Sequence, residues 1–189
     1  MGNKVTFGFK NVHIAFATPG ETPAWGTPVK VPGAVRFTPT TVGESSTFYA
    51  DDGPYFVVTS NNGYTAEIEM ANLPDSIVKE MLGWEIDDNG MLLEIANAQP
   101  KKFALMGEVQ GDARNRKFVY YDCVAQRPNK EKATKAESTT PATDVLALTI
   151  SPIEIGTKTV VKGDIELSET NATVFNGFFA AVYTPTFAG

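Results

Sequence analysis

One cysteine and one histidine occur in 189 residues, and each shortage removes a class of explanation. A lone Cys123 cannot close an intramolecular disulfide, so a stable fold must come from burying apolar side chains. A chain of this length buries roughly 70% of the surface that its unfolded form exposes, which is enough for a proper core. Cys123 lies in the aromatic run Phe118-Val119-Tyr120-Tyr121-Asp122-Cys123-Val124, where a small buried hydrophobe is the expected role. A Ser-His-Asp or Cys-His centre would have to use His13, whose sequence neighbours supply no poised acid or nucleophile. No apolar run approaches the ~20 residues that cross a bilayer. The opening Met1-Gly2-Asn3-Lys4 leads into a strand instead of a signal-peptide core, giving the expectation of a protein made and used in cytoplasm.

Basic charge is also scarce: 16 Lys and Arg stand against 22 Asp and Glu, for a net charge of -6. Proteins that grip phosphate backbones draw binding free energy from cations that displace counterions, so specific nucleic-acid binding is not expected. The best basic candidates are Arg114, Arg116 and Lys117 with Lys101 and Lys102, and Arg127, Lys130, Lys132 and Lys135 further on. Asp112, Glu131 and Glu137 are interleaved with them, which favours solvated or ion-paired surfaces. The chain also lacks a glycine-rich phosphate loop, a metal-spaced cysteine set and a solenoid repeat. It is read as non-enzymatic, without cofactor or metal.

What the sequence does have is period-two alternation, the mark of strands with one buried face. Val5, Phe7 and Phe9 share one parity while Val12, Ile14 and Phe16 share the other, predicting a bulge near Lys10-Asn11 and an outward His13. Tyr64, Ala66, Ile68 and Met70 alternate with Thr65, Glu67 and Glu69 after the turn Asn61-Asn62-Gly63. Phe103, Leu105 and Val109 are set against Lys102 and Glu108, and Val161, Ile165 and Leu167 against Lys162, Asp164 and Glu166.

Only residues 74–83 read as helix. Pro74 suits a first helical position, Asp75 the positive N-terminal end and Gly83 a left-handed terminus. Ile77, Val78, Met81 and Leu82 form the apolar stripe. The expected architecture is a mainly β single domain over residues 1–189, an antiparallel β-sandwich or distorted barrel with one short flanking helix. Two polar stretches interrupt it, residues 39–54 as a long loop or arm and residues 128–143 as a lysine-rich loop. Glu85-Ile86-Asp87-Asp88-Asn89-Gly90 opens like a calcium loop, but the twelfth position falls on Ala96 and a strand, Met91 to Ile95, follows. A polar turn is the better reading.

Several segments occur in an order that resembles the major tail tube proteins of bacteriophages with long non-contractile tails. They are Asn11-Val12-His13-Ile14-Ala15, Pro28-Val29, Pro32-Gly33-Ala34-Val35, Phe48-Tyr49-Ala50-Asp51, Asn62-Gly63-Tyr64, Leu73-Pro74-Asp75 and Asp87-Asp88-Asn89-Gly90. The C-terminal half matches more loosely, through its hairpins and Phe178-Phe179. This resemblance implies a β-sandwich subunit that closes into hexameric rings stacked as a tube, located in the virion tail after assembly in host cytoplasm. It implies contacts with other copies of itself and with tape-measure, tail-terminator and tail-tip proteins, while DNA passes the lumen without specific binding. It carries no catalytic residues. Phe48 and Tyr49, with Asp51 and Asp52 beside them, are the candidate subunit interface, an arm that docks on a neighbour. Alternatives are a tube protein of a contractile injection or type VI secretion system, and a carbohydrate- or receptor-binding β-sandwich of the tail tip using Trp25 and clustered tyrosines.

Overall fold

The computed structural model describes residues 3–20, 23–111, 113–128 and 142–187. The expected loop at 128–143 lies almost wholly outside them. The first half of the chain runs β1 (Thr6–Phe16), β2 (Val29–Lys30), β3 (Ala34–Thr41), β4 (Ser45–Ala50), β5 (Gly53–Thr59), β6 (Tyr64–Met70) and α1 (Asp75–Leu82). It continues with β7 (Glu85–Ile86), β8 (Leu92–Leu93), β9 (Phe103–Gly111), β10 (Arg116–Ala125) and β11 (Asp144–Ser151). The C-terminal part holds β12 (Ile153–Ile155), β13 (Lys158–Val160), β14 (Lys162–Glu166) and α2 (Ala172–Asn176). The fold is mainly β and antiparallel.

One eight-stranded sheet dominates, in the order β2-β1-β9-β10-β11-β6-β3, with β14 added beside β10. It curls until β3 lies close to β1 but does not close by pairing. β10 divides one of its edges, pairing Arg116–Tyr120 with β14 and Asp122–Ala125 with β11. Pro39 sits in β3 at the end of the sheet, where a missing N–H costs no ladder bond.

The inner face of the curl holds the main core, including Val12, Ile14, Ile68, Met70, Phe103, Leu105, Phe118, Tyr120 and Leu146. The helix stripe Ile77, Val78, Met81 and Leu82 packs into it as the spacing predicts. Pro74 is the N-cap, and Gly83 ends the helix at φ 69°. A Cβ on Gly83 would also press on the Gln99 carbonyl at 2.7 Å, so two independent constraints favour glycine there.

Four expectations need correction. Val5 and Phe7 do not share the buried face of Phe9, because an irregularity at Gly8 (φ 72°) separates Phe7 from Phe9 and turns Phe7 outward. The bulge at Lys10-Asn11 is present, with Asn11 at φ 54°. Second, β9 is covered on both faces instead of one: Ala104 and Met106 are fully buried, and even Glu108 is only 6% exposed. A smaller core of Ala15, Ala104, Met106, Val119, Tyr121, Ile155 and Phe178 lies there. It forms because the C-terminal segment, including α2, packs on the outer face of β1, β9 and β10. Third, α2 is a second helix that the periodicity did not reveal; five residues with one buried member, Phe175, leave no periodic trace. Fourth, residues 39–54 are not a loop. They comprise the end of β3 and most of a hairpin, β4–β5, whose polar composition arises because its strands meet solvent.

Candidate functional site

The β4–β5 hairpin begins with its turn. Ala50 pairs with Gly53, leaving Asp51 and Asp52 as a two-residue loop with φ of 50° and 58°. Positive φ at both central positions is the turn whose twist matches two paired strands, and Asp tolerates it because its short carboxylate bonds locally. Register then runs Phe48 opposite Phe56, Thr47 opposite Val57 and Ser46 opposite Val58, with Tyr55 inserted as a bulge residue between the Phe48 and Tyr49 pairs. Such an insertion bends a ribbon and increases its twist.

The root is clamped. Ser60 N donates to the Glu44 carbonyl at 3.0 Å, and Ser60 Oγ accepts from Glu44 N at 3.0 Å. Gly43 sits so near Ser60, just past β5, that a Cβ would collide with the Ser60 carbonyl oxygen. Beyond the root, among the described residues, β4 and β5 pair as strands only with each other. Phe48, Tyr49, Tyr55, Phe56 and Val57 are 63%, 67%, 73%, 61% and 55% exposed. Phe48 and Phe56 share one face of the ribbon and Val57, opposite Thr47, lies on the other, so large apolar side chains stand exposed on both faces of the arm. Exposed apolar surface on this scale marks an interaction surface.

The structure thus brings Phe48, Tyr49, Asp51 and Asp52 together on one hairpin, with the two aspartates as its turn. Tyr55, Phe56 and Val57 add to the exposed apolar surface of this hairpin and were not among the sequence candidates. The signal available for them was the unbroken apolar run Tyr55-Phe56-Val57-Val58, whose lack of alternation gives no hint of an exposed face.

Other candidate positions have local roles. His13 is half-buried, not outward into water: its ring stacks on Phe179 at 4.3 Å, and Nδ1 lies 2.9 Å from the Asn11 carbonyl oxygen. Because that oxygen only accepts, the neutral ring carries its proton on Nδ1. Burial pulls its pKa below the ordinary value, helped by the charge of Lys30. Burial drives the Cys123 thiol pKa up, the opposite of what a nucleophile needs. Asp87 Oδ1 accepts the N–H groups of Met91 and Asn89 at 2.7 and 2.9 Å, the geometry of a polar turn. Those backbone donors, Met91 first, lower its pKa. The strand after that turn is shorter than expected, only Leu92–Leu93. Trp25 is half-buried; its Nε1 donates to the Tyr121 carbonyl at 3.1 Å and its ring packs 5.7 Å from that of Tyr121.

Four of the six basic candidates among the described residues are ion-paired. Lys101 meets Glu80 at 2.5 Å, Lys102 meets Asp122 at 2.8 Å, Arg116 meets Glu166 at 2.7 Å and Arg127 meets Glu94 at 3.0 Å. Lys117 is buried, donating to the Phe175 carbonyl at 2.6 Å with its ammonium 4.1 Å from the Phe175 ring centre. Lys130, Lys132 and Lys135 lie outside the described residues. No known protein family and no curated protein sequence matches this chain.

Proposed function

We propose that this chain is a self-assembling structural subunit, and that its assembly is the tail tube of a bacteriophage with a long non-contractile tail. The carrying observation is the β4–β5 hairpin, an arm with five exposed large apolar side chains whose strands pair, among the described residues, only with each other. An acidic protein with so apolar an arm is best explained if other copies cover the arm. The ordered segments that resemble tail tube proteins supply the identity of the assembly: rings, by resemblance hexameric, stacked into a hollow tube. Tape-measure, tail-terminator and tail-tip proteins would be its partners. The net charge of -6 suits a conduit for DNA, since like charge opposes adsorption of the passing polymer. A sugar platform on Trp25 has less support, because that indole is engaged with Tyr121.

The test is the double substitution Phe48→Ser with Tyr49→Ser. Both side chains are mostly exposed, so thermal unfolding of the monomer should change little. Light scattering and negative-stain microscopy should show tubes for the unaltered protein and none for the variant, since a single desolvated aromatic anchor commonly supplies ~2 kcal/mol or more to an interface. Normal tubes from the variant would remove the arm from the assembly. A protein that forms no tubes in its unaltered state at any concentration would overturn the tail-tube reading.

A further inference from the structure

The arm needs a receptor, and the surface offers one beside β14. An open cleft of about 620 Å³ lies between β13, β14, α2 and the C-terminal segment, with Val160, Val174, Phe178, Tyr183, Pro185 and Phe187 as its apolar lining. Its charged lining is Lys158, Lys162 and Asp164, two cations to one anion in a protein that is acidic as a whole. Lys162 already meets Asp164 at 3.3 Å, whereas the Lys158 ammonium sits 4.8 Å above the Phe187 ring. Among the described residues, β14 pairs with β10 alone, which leaves its other edge without a strand partner.

We infer that this cleft receives the β4–β5 hairpin of a second copy of the chain. The arm presents what the cleft lacks. Its tip carries two carboxylates, Asp51 and Asp52, opposite in sign to the surplus lysine, and its flanks carry exposed aromatics for the apolar walls. The arm's own cleft is the wrong one for it. Asn61, at the foot of the hairpin, is itself part of the lining, while the tip stands a six-residue strand away, about 20 Å at ~3.3 Å per residue. An arm that carries its tip away from the cleft at its root reaches a neighbour's cleft instead. The contact is therefore head-to-tail: each copy gives an arm and receives one, which allows closure into a ring or open extension. It presupposes that copies of this chain assemble with one another, and it names which surface meets the arm.

Cysteine trapping tests this contact. Full-length Tyr49→Cys and Val174→Cys proteins are mixed under mild oxidation and run on a non-reducing gel. Cys123 is fully buried and takes no part. A covalent dimer should form in the mixture. It should fall to background when Phe7→Cys, another exposed aromatic position, replaces Tyr49→Cys. If Val174→Cys proves unstable by thermal unfolding, Lys158→Cys serves as the cleft position. Absence of the 49–174 dimer, or equal yield from the Phe7 control, overturns the docking. Tubes in the microscope without that cross-link would leave the tail-tube reading standing and remove this contact. A cross-link in a preparation that forms only short oligomers would do the reverse. A chain that stays monomeric and gives no cross-link removes both.

Discussion

At the scale of single residues, two positions in β1 show how backbone irregularity places polar side chains inside a sheet. Asn11 adopts φ 54°, a conformation open to Asn at modest cost because its side chain is short and polar. In that position its Nδ2 donates to Glu108 at 2.8 Å, while Asn115 donates to the other carboxylate oxygen at 2.7 Å and Lys10 approaches at 3.6 Å. Glu108 is only 6% exposed, and these donors are what make a buried carboxylate tolerable. His13, two residues on, is held neutral by burial and the nearby Lys30 charge, so its folded-state pKa lies below 6.5. The unfolded chain therefore takes up a proton first as pH falls, and the stability tied to neutral His13 is present above pH 6.5 and declines through the interval below it. His13→Phe would keep a ring against Phe179 and remove the titration. Melting temperature should fall more steeply for the unaltered protein than for this variant between about pH 6.5 and pH 5. Parallel curves would show that His13 does not couple folding to pH.

At the scale of elements, what could be read from sequence depended on whether one face of the element was dry. α1 was legible because its stripe is one-sided and its ends carry Asp75 and Gly83. β6 was legible because Ala66, Ile68 and Met70 are buried while Thr65 and Glu67 are exposed. β9 and β10 lose that contrast once the C-terminal segment covers their outer face, and the β4–β5 hairpin never has it. α2 is too short for a period to register. β10 adds a parity change of its own. Phe118 and Tyr120 face the main core, then a register shift before Cys123 brings Cys123 and Ala125 to that same side. The buried stripe of α1 permits a direct check. Met81 is 2% exposed, and Met81→Asp would put a carboxylate among Ile77, Leu82 and the sheet without a partner. Destabilisation of about 3 kcal/mol or more is expected in denaturant unfolding. An unchanged midpoint would mean that α1 does not depend on this face.

At the scale of the whole molecule, the candidate arm was legible in part: Phe48, Tyr49, Asp51 and Asp52 stand in the sequence as a run of aromatic and acidic residues. That they form a hairpin, and that Tyr55, Phe56 and Val57 join them, depends on a register that local composition does not encode. The cleft beside β14 was not legible at all, since it is made of residues from 61 to 187 that only tertiary packing brings together. Charge is the property that passes most directly from sequence to behaviour. The excess of acid is spread through the chain, and Lys101, Lys102, Arg116 and Arg127 each face a carboxylate, so they offer a polyanion little unbalanced positive potential. Binding to duplex DNA requires cations that replace condensed counterions, and its strength would show as a steep decline with salt. Assembled protein should therefore leave the mobility of linear duplex DNA unchanged even near 50 mM salt, where such binding is strongest. Retardation that disappears as salt is raised would reveal a basic surface in the assembly and would contradict a conduit through which DNA slides without adsorbing.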